Sequence, residues 1–324
     1  MPIMTDIIAA DIGGTNARFA RARLDDRNVP TLGKVRKYKV EDFSSLQACW
    51  AAFAKEEGDD LPKAASIAFA TAIGRDVIKL TNSSWTIRPD TLDEELGLKQ
   101  LRLVNDFEAV AHAVARLPQD NLPLLFGKDN PFPRDGGVTV VGPGTGLGVA
   151  MIAFDDGIPH IVATEGGHQD FAPVDSLDDK ILEYLRDKFL RVSTERMVSG
   201  PGLNNIYKAL ATIGHDRVIL MEDPELWEAA LDGTDEFARA AFERFCLCYG
   251  SVVGDLALAH GPHTVVLAGG LTQRMREFLP QSGFHRRFIA KGRFESLMAS
   301  VPIRLAVHDE IGLYGAAAAF REPK

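Results

Sequence analysis

Ile-Ile-Ala-Ala-Asp-Ile-Gly-Gly-Thr-Asn-Ala-Arg-Phe-Ala, residues Ile7 to Ala20, is the segment on which the architecture hangs. It reads as an apolar strand, a tight turn at Gly13-Gly14-Thr15 and a returning strand. Adjacent glycines accept positive φ and put no Cβ between the backbone and an approaching ligand. Successive N–H groups in such a turn form a small concavity that suits phosphate oxygens. Asp11, just before the turn, is placed to hold a phosphate-bound Mg2+, normally through water. Taken alone, the segment serves equally well as a plain hairpin.

A second copy of the pattern breaks the tie. Val138 to Phe154, Val-Thr-Val-Val-Gly-Pro-Gly-Thr-Gly-Leu-Gly-Val-Ala-Met-Ile-Ala-Phe, again runs strand, glycine turn, strand. Gly142, Gly144 and Gly146 surround Thr145, and the flanking segments are β-branched and apolar. Two glycine hairpins suggest an internal duplication in which each half offers amides to one nucleotide. Neither is a dinucleotide-binding Gly-x-Gly-x-x-Gly opening a helix, and no Gly-x-x-x-x-Gly-Lys-Ser/Thr loop occurs.

The 324 residues favour two lobes over one. A net charge of −9 argues against a broad nucleic-acid or anionic-membrane face. Three cysteines, Cys49, Cys246 and Cys248, give neither a disulfide framework nor a zinc set and fit a reducing cytoplasm. No signal peptide is evident, and no apolar run reaches membrane-spanning length, with Asp255 interrupting the most apolar helix. Asn82-Ser83-Ser84 matches a glycosylation sequon, which in a cytoplasmic protein is coincidence.

In chain order, Val35–Val40 is expected as a third strand and Ser44–Glu57 as a helix with a Ser44/Gln47 capping box. Ala65–Ala70 and Leu101–Val104 read as buried strands, and Phe107–Leu117 as a helix. The Pro-, Asn- and Asp-rich Leu117–Gly137 marks the lobe boundary. The second half repeats with strands at 138–142, 147–154 and about 159–163. Helices are expected over 178–190, 203–213 and 234–260, the last started by Thr234 and apolar on most faces. Thr264–Ala268 is a strand that turns at Gly269-Gly270 into a helix. That turn either packs against a nucleoside or is a generic strand-to-helix connection. Val301–Val307 is the last strand and Ile311–Arg321 the last helix.

Asn105-Asp106 follows a buried strand and opens a helix, so Asp106 is either an N-cap or the acceptor of a substrate hydroxyl proton. A helix N-terminus holds a carboxylate ionised, which still serves phosphoryl transfer, where the transition state is loose. The two roles are compatible, one oxygen each. Glu165-Gly166-Gly167-His168-Gln169-Asp170-Phe171-Ala172-Pro173 is a polar, glycine-hinged loop of the kind that faces solvent or ligand. His168 and Glu165, three apart, can reach one ligand; no zinc spacing is present. Glu195 reads by default as a solvated charge and Asn82 as a turn residue. Together, scattered carboxylates, an amide and a His are what a sugar site needs.

Asp-Ile-Gly-Gly-Thr-Asn-Ala-Arg, Asn-Asp-Phe, Gly-x-Gly-Thr-Gly-Leu-Gly, Glu-Gly-Gly-His-x-Asp-Phe-Ala-Pro, Ser-x-Glu-Arg-x-x-Ser-Gly-Pro-Gly and Ala-Gly-Gly occur in that order. Jointly they resemble the bacterial ATP-dependent glucokinases of the actin, Hsp70 and sugar-kinase superfamily, from near residue 6 to near 318. The resemblance implies an α/β, two-lobed actin-like ATPase (ribonuclease H-like) fold, each lobe a mixed sheet flanked by helices. Residues 1–116 with 303–324 would form the smaller lobe and 117–302 the larger, with ATP and hexose in the cleft between them. Ala10, Asp11, Ile12, Gly13, Gly14 and Thr15 match the first phosphate loop. Gly142, Gly144, Thr145 and Gly146 match the second, and Gly269-Gly270 the adenosine turn. Asp106 matches the catalytic base; Asn105, Glu165, His168 and Glu195 match the glucose contacts, with Asn82 a further candidate. The implied reaction is ATP-dependent phosphorylation of glucose at the C6 hydroxyl with Mg2+, in a homodimer. The alternatives are a kinase for another hexose, such as mannose or fructose, or a sugar-sensing regulator on the same fold. One departure is Thr71-Ala72-Ile73, where the family usually carries a proline turn, which bears on the sugar pocket.

Overall fold

The opening hairpin forms as read. Strand Thr5–Ile12 pairs antiparallel with Asn16–Leu24, Ile12 opposite Ala17, and parallel with Ala64–Phe69, which in turn lies parallel to Gln100–Asn105. A computed structural model describes residues 4–58, 60–71, 77–80, 83–215, 220–261 and 263–320 of the chain. The expected third strand is divided into Pro30–Leu32 and Arg36–Lys39, both antiparallel to Asn16–Leu24. Between the two pieces Gly33 donates its N–H to Arg21 O at 2.8 Å. Numbered by position in its half, the sheet runs third, second, first, fourth, fifth.

The run Ile7-Ile8-Ala9-Ala10 is apolar without alternation because both faces of this sheet are covered. Ile8, Ala10 and Ile12 pack with Trp50 and Phe53 of helix Leu46–Glu57 on one side. Ile7 and Ala9 pack with Leu313, Ala317 and Phe320 on the other, from the last helix, Ile311–Ala318, and its end. The start of Leu46–Glu57 differs by one residue from expectation. Ser45 caps it, accepting the Ala48 N–H at 3.2 Å, while Gln47 is drawn away to Glu95.

The same order recurs. Gly136–Pro143 pairs antiparallel with Leu147–Asp155, which pairs with Ile158–Thr164, and parallel with Thr264–Leu267, which is followed by Ile303–Leu305. Leu124–Phe126, from the Pro-rich boundary stretch, adds an antiparallel edge strand. Helix Glu236–His260 is buried along most of its length and anchors the core with Phe242, Phe245 and Tyr249. Asp235, not Thr234, caps it, because its carboxylate reaches the Ala238 N–H at 2.7 Å. Two sheets of one topology make this the duplicated actin-like fold.

The chain divides into two compact units, one reaching Pro118 and resuming at His308, the other Gln119–Val307. The return to the first unit was expected from residue 303, but Ile303–Leu305 is hydrogen-bonded into the second sheet. Arg304 is buried there, bonded to Leu122 O, Asn130 O and Asp129. The chain is therefore held in the second unit until Val307, whose N–H and C=O both pair with Asn121. All three cysteines are free and buried. Among the described residues no helix is long and apolar enough to cross a membrane.

Candidate active site

In parallel sheets of this kind, ligands gather at the carboxyl ends of the strands. In the first unit the register aligns Ile12 with Phe69 and Phe69 with Asn105, so the Gly13 turn and the Asn105-Asp106 pair lie at one end of one sheet. Gly13 N donates to Asn16 O at 2.9 Å, and Val40 N to Thr15 O at 2.9 Å, which braces the turn against the following segment. Gly13 does not use left-handed φ, and a Cβ there would meet only Asn16 O, at an ordinary 3.5 Å. A cavity of about 480 Å³ opens beside Gly14 and Thr15, lined also by Val40, Glu41, Phe43, Ser83, Ser84 and Trp85. Asn82, Ala72 and Ile73 lie outside the described residues.

Asp11 is enclosed. Arg18, its partner across the hairpin, holds the carboxylate at 3.1 Å, and Arg18 lies 3.2 Å from Glu310, which Lys37 also contacts. A Cβ on Gly312 would sit 2.8 Å from Asp11 Oδ2, so a larger residue there would press on the carboxylate. Burial pushes the Asp11 carboxyl above its usual range, against the opposing pull of Arg18. A carboxyl raised in this way gains from a further cation. Among the described residues no group of three or more His, Cys, Asp or Glu could cage a metal. The fit is to Mg2+ carried on phosphates with one protein carboxylate, the usual Mg2+ arrangement. Arg18, Glu310 and Gly312 were not singled out from sequence.

Asn105, rather than Asp106, caps helix Asp106–Val114. Its Oδ1 accepts the N–H groups of Phe107 (2.8 Å) and Glu108 (3.3 Å), and its Nδ2 donates to Thr71 O at 3.2 Å. Asp106 becomes the first helical residue, with Oδ1 accepting the Phe107 N–H at 2.8 Å. The half-buried carboxylate is thus oriented by the helix start while the capping is done by its neighbour.

The second unit carries the other half of the candidates. Gly144 N donates to Gly146 O at 2.8 Å, closing the second turn, and Gly200 N donates to Gly144 O at 2.7 Å. The Ser-Gly-Pro-Gly motif is therefore the backing of this turn, with Ser199 capping helix Gly200–Ile213. A Cβ on Gly144 would meet nothing within 4 Å, leaving open space over the turn. Ala268 N reaches Val141 O at 2.9 Å, and Gly269, at φ 88°, lies against Pro143 O. The Gly269-Gly270 turn and the second glycine turn are thus neighbours.

Glu165 precedes a short 3-10 turn and His168 is its last residue, with His168 Nε2 4.0 Å from Glu165 Oε2 and both side chains exposed. The two glycines between them are required by approach to the hairpin. A Cβ on Gly167 would lie 2.1 Å from Leu147 O, and one on Gly166 3.0 Å from the Val149 side chain. Glu195, on the short helix Thr194–Met197, accepts the Leu147 N–H at 3.0 Å. Glu165, His168 and Glu195 all belong to segments that touch the first residues of strand Leu147–Asp155 or its turn.

A family model described as Glucokinase matches residues 8–323. The chain is 49% identical to the glucokinase of Zymomonas mobilis subsp. mobilis over 315 residues, 97% of either chain. The crystal structure of a glucokinase from an Antarctic psychrotroph aligns with a TM-score of 0.85 at 33% identity, over 97% of this chain and 98% of that one. The fold alone extends to a ROK family glucokinase from Streptomyces griseus solved with glucose and AMPPNP. There the TM-score is 0.62 at 22% identity, over 98% and 100% of the chains. Duplicated sheets, a glycine turn on each and a match along nearly the whole sequence have one common account: the chain belongs to the glucokinase family.

Proposed function

We propose that the chain transfers the terminal phosphoryl group of ATP to the C6 hydroxyl of glucose, giving glucose 6-phosphate and ADP. The observation that carries this reading is the match to a curated glucokinase over 97% of both chains. Asp106 orients the C6 hydroxyl and takes its proton; a loose transition state needs only an ionised acceptor in place. Ala10–Thr15 and Gly142–Gly146 offer backbone amides to the phosphates, and Gly269-Gly270 receives the adenosine. Asn105, Glu165, His168 and Glu195, with Asn82, contact the sugar hydroxyls. Mg2+ on the nucleotide fits Asp11 through water and, when bound, neutralises charge on the transferring group. Excluding water from the reacting groups limits wasteful ATP hydrolysis. A homodimer in the cytoplasm suits a family of metabolic kinases and three buried, unpaired thiols.

The test is Asp106→Asn with Mg-ATP and a panel of hexoses. Turnover on glucose is expected to fall by about three orders of magnitude or more, with glucose and ATP still bound by calorimetry. Near-parental turnover removes Asp106 from the mechanism, and a faster parental reaction with mannose or fructose than with glucose refutes the substrate.

A further inference from the structure

Residues 193–202 of the second unit are fastened to two different parts of it. Thr194 donates its N–H to Gln169 O at 2.8 Å and its buried hydroxyl to Gly167 O at 2.7 Å, so it is laced to the loop that carries Glu165 and His168. Six residues on, Gly200 N–H is bonded inside the second glycine turn at Gly144 O. Between these ties, Glu195 directs its carboxylate at the same turn. Its Oε2 accepts the Leu147 N–H at 3.0 Å, and a Cβ placed on Gly146 would lie 2.4 Å from that oxygen. Gly146 has no left-handed φ to justify it. A side chain at 146 would have to displace the Glu195 carboxylate.

We propose that Glu195 is a positioning residue for the Gly144–Leu147 turn, and that this one carboxylate couples the sugar half of the site to the nucleotide half. The inference rests on the readings of that turn as a phosphate loop and of Glu195 as a sugar contact. Anchoring the Leu147 amide fixes the peptide planes just before it, the ones that present N–H groups to phosphate. A carboxylate has acceptor sites on both oxygens, so one serves the turn and the other remains for a sugar hydroxyl. A hydroxyl that holds the carboxylate in place also holds the turn, and by reciprocity a filled turn favours the sugar.

Two binding measurements test this, each with the other ligand absent: AMPPNP with Mg2+ but no sugar, and glucose with no nucleotide. Glu195→Ala is expected to weaken AMPPNP about ten-fold. Glu195→Gln, whose amide oxygen can still accept the Leu147 N–H, should return AMPPNP to within about three-fold of the parent. Gly146→Ala pushes the Glu195 carboxylate aside and is expected to weaken glucose about ten-fold, although residue 146 belongs to the nucleotide turn. Parental AMPPNP affinity in folded Glu195→Ala, parental glucose affinity in folded Gly146→Ala, or no recovery in Glu195→Gln would each overturn the coupling. A parent protein that binds neither ligand would instead overturn the glucokinase reading on which the proposal rests.

Discussion

The approach of the last helix to the helix that begins at Asp106 is closer than side chains allow, and Gly315→Ala tests what that closeness does. A Cβ at 315 would lie 1.8 Å from Ala109 O and 2.4 Å from Ala109 C, both backbone atoms that cannot rotate away. Around the contact the packing partners are small, Ala68, Ala109, Ala316 and Ala319 with Val104, so no long side chain can yield instead. Reaching an ordinary contact near 3.4 Å therefore needs a separation of about 1.6 Å between the helices. Overpacking of this kind costs about 1–3 kcal/mol, which in a protein of this size lowers the unfolding midpoint by roughly 1.5–4.5 °C. Ala109 lies one turn after Asp106 on the same helix. A displacement of about 1 Å at a reacting group is enough for a hundred-fold loss of rate. Gly315→Ala should therefore lose turnover by about 10–100-fold at saturating substrates while KM changes little. The assay is initial rate of glucose 6-phosphate formation alongside a thermal melt. A variant as stable and as fast as the parent would refute the interlocked helices, and lost stability with unchanged turnover would show that Asp106 does not move with Ala109.

Two further substitutions read the charged groups. Arg18→Met removes the guanidinium that offsets burial at Asp11, so that carboxyl should rise further and the acidic limb of the kcat/KM profile should move to higher pH; an unmoved limb would separate Asp11 from the rate. In the second unit, burial pushes the Asp175 carboxyl up, but hydrogen bonds from Arg244 and the Asp178 N–H and the charge of Arg287 outweigh it, holding the group at about 2. A folded value below the ordinary 3.8 stabilises the protein above that pH and is lost as pH falls towards 2. The full conversion is ~2.5 kcal/mol, and with 39% of the side chain in solvent about 1 kcal/mol is expected. Asp175→Asn, which keeps the cap of helix Ser176–Phe189, should be less stable in urea by that amount at pH 7, and the difference should shrink steadily below about pH 4 as pH falls towards 2; a gap of constant size across that range would refute the linkage.

The hairpins were legible because turn chemistry and strand chemistry coincide: glycines flanked by β-branched, uninterrupted apolar runs admit few other structures. Helix starts were less so, since Ser44-Ser45 and Thr234-Asp235 each offer two caps side by side and only geometry chooses. Asn105-Asp106 is the same ambiguity with functional weight, and the amide took the cap. Contacts between distant positions left almost no local trace. Nothing around Glu310 announces Arg18, and Glu195 is 48 residues from the Leu147 amide it accepts. The exception is Ile-Gly-Leu-Tyr-Gly-Ala-Ala-Ala in the last helix. Glycine costs about 1 kcal/mol against alanine inside a helix, so two of them in Ile311–Ala318 mark surfaces where something presses close. Here those things are Asp11 and Ala109.

The two halves share a topology and yet place their carboxylates differently, as one register position shows. In the first hairpin the pair next to the turn-closing one is Asp11 opposite Arg18; in the second it is Gly142 opposite Gly148. The first turn thus brings its own carboxylate, with a guanidinium to hold it and glycine 312 to enclose it. It is suited to a cation riding on the nucleotide. The second turn has no ionisable side chain of its own. What it needs beyond backbone amides comes from outside, from the Gly200 N–H behind it and from the Glu195 carboxylate on the Leu147 amide. In the function proposed above, the Leu147 N–H and a sugar hydroxyl would both donate hydrogen bonds to that carboxylate. A duplicated scaffold with one carboxylate inside its hairpin and one brought in from another segment therefore has a built-in asymmetry.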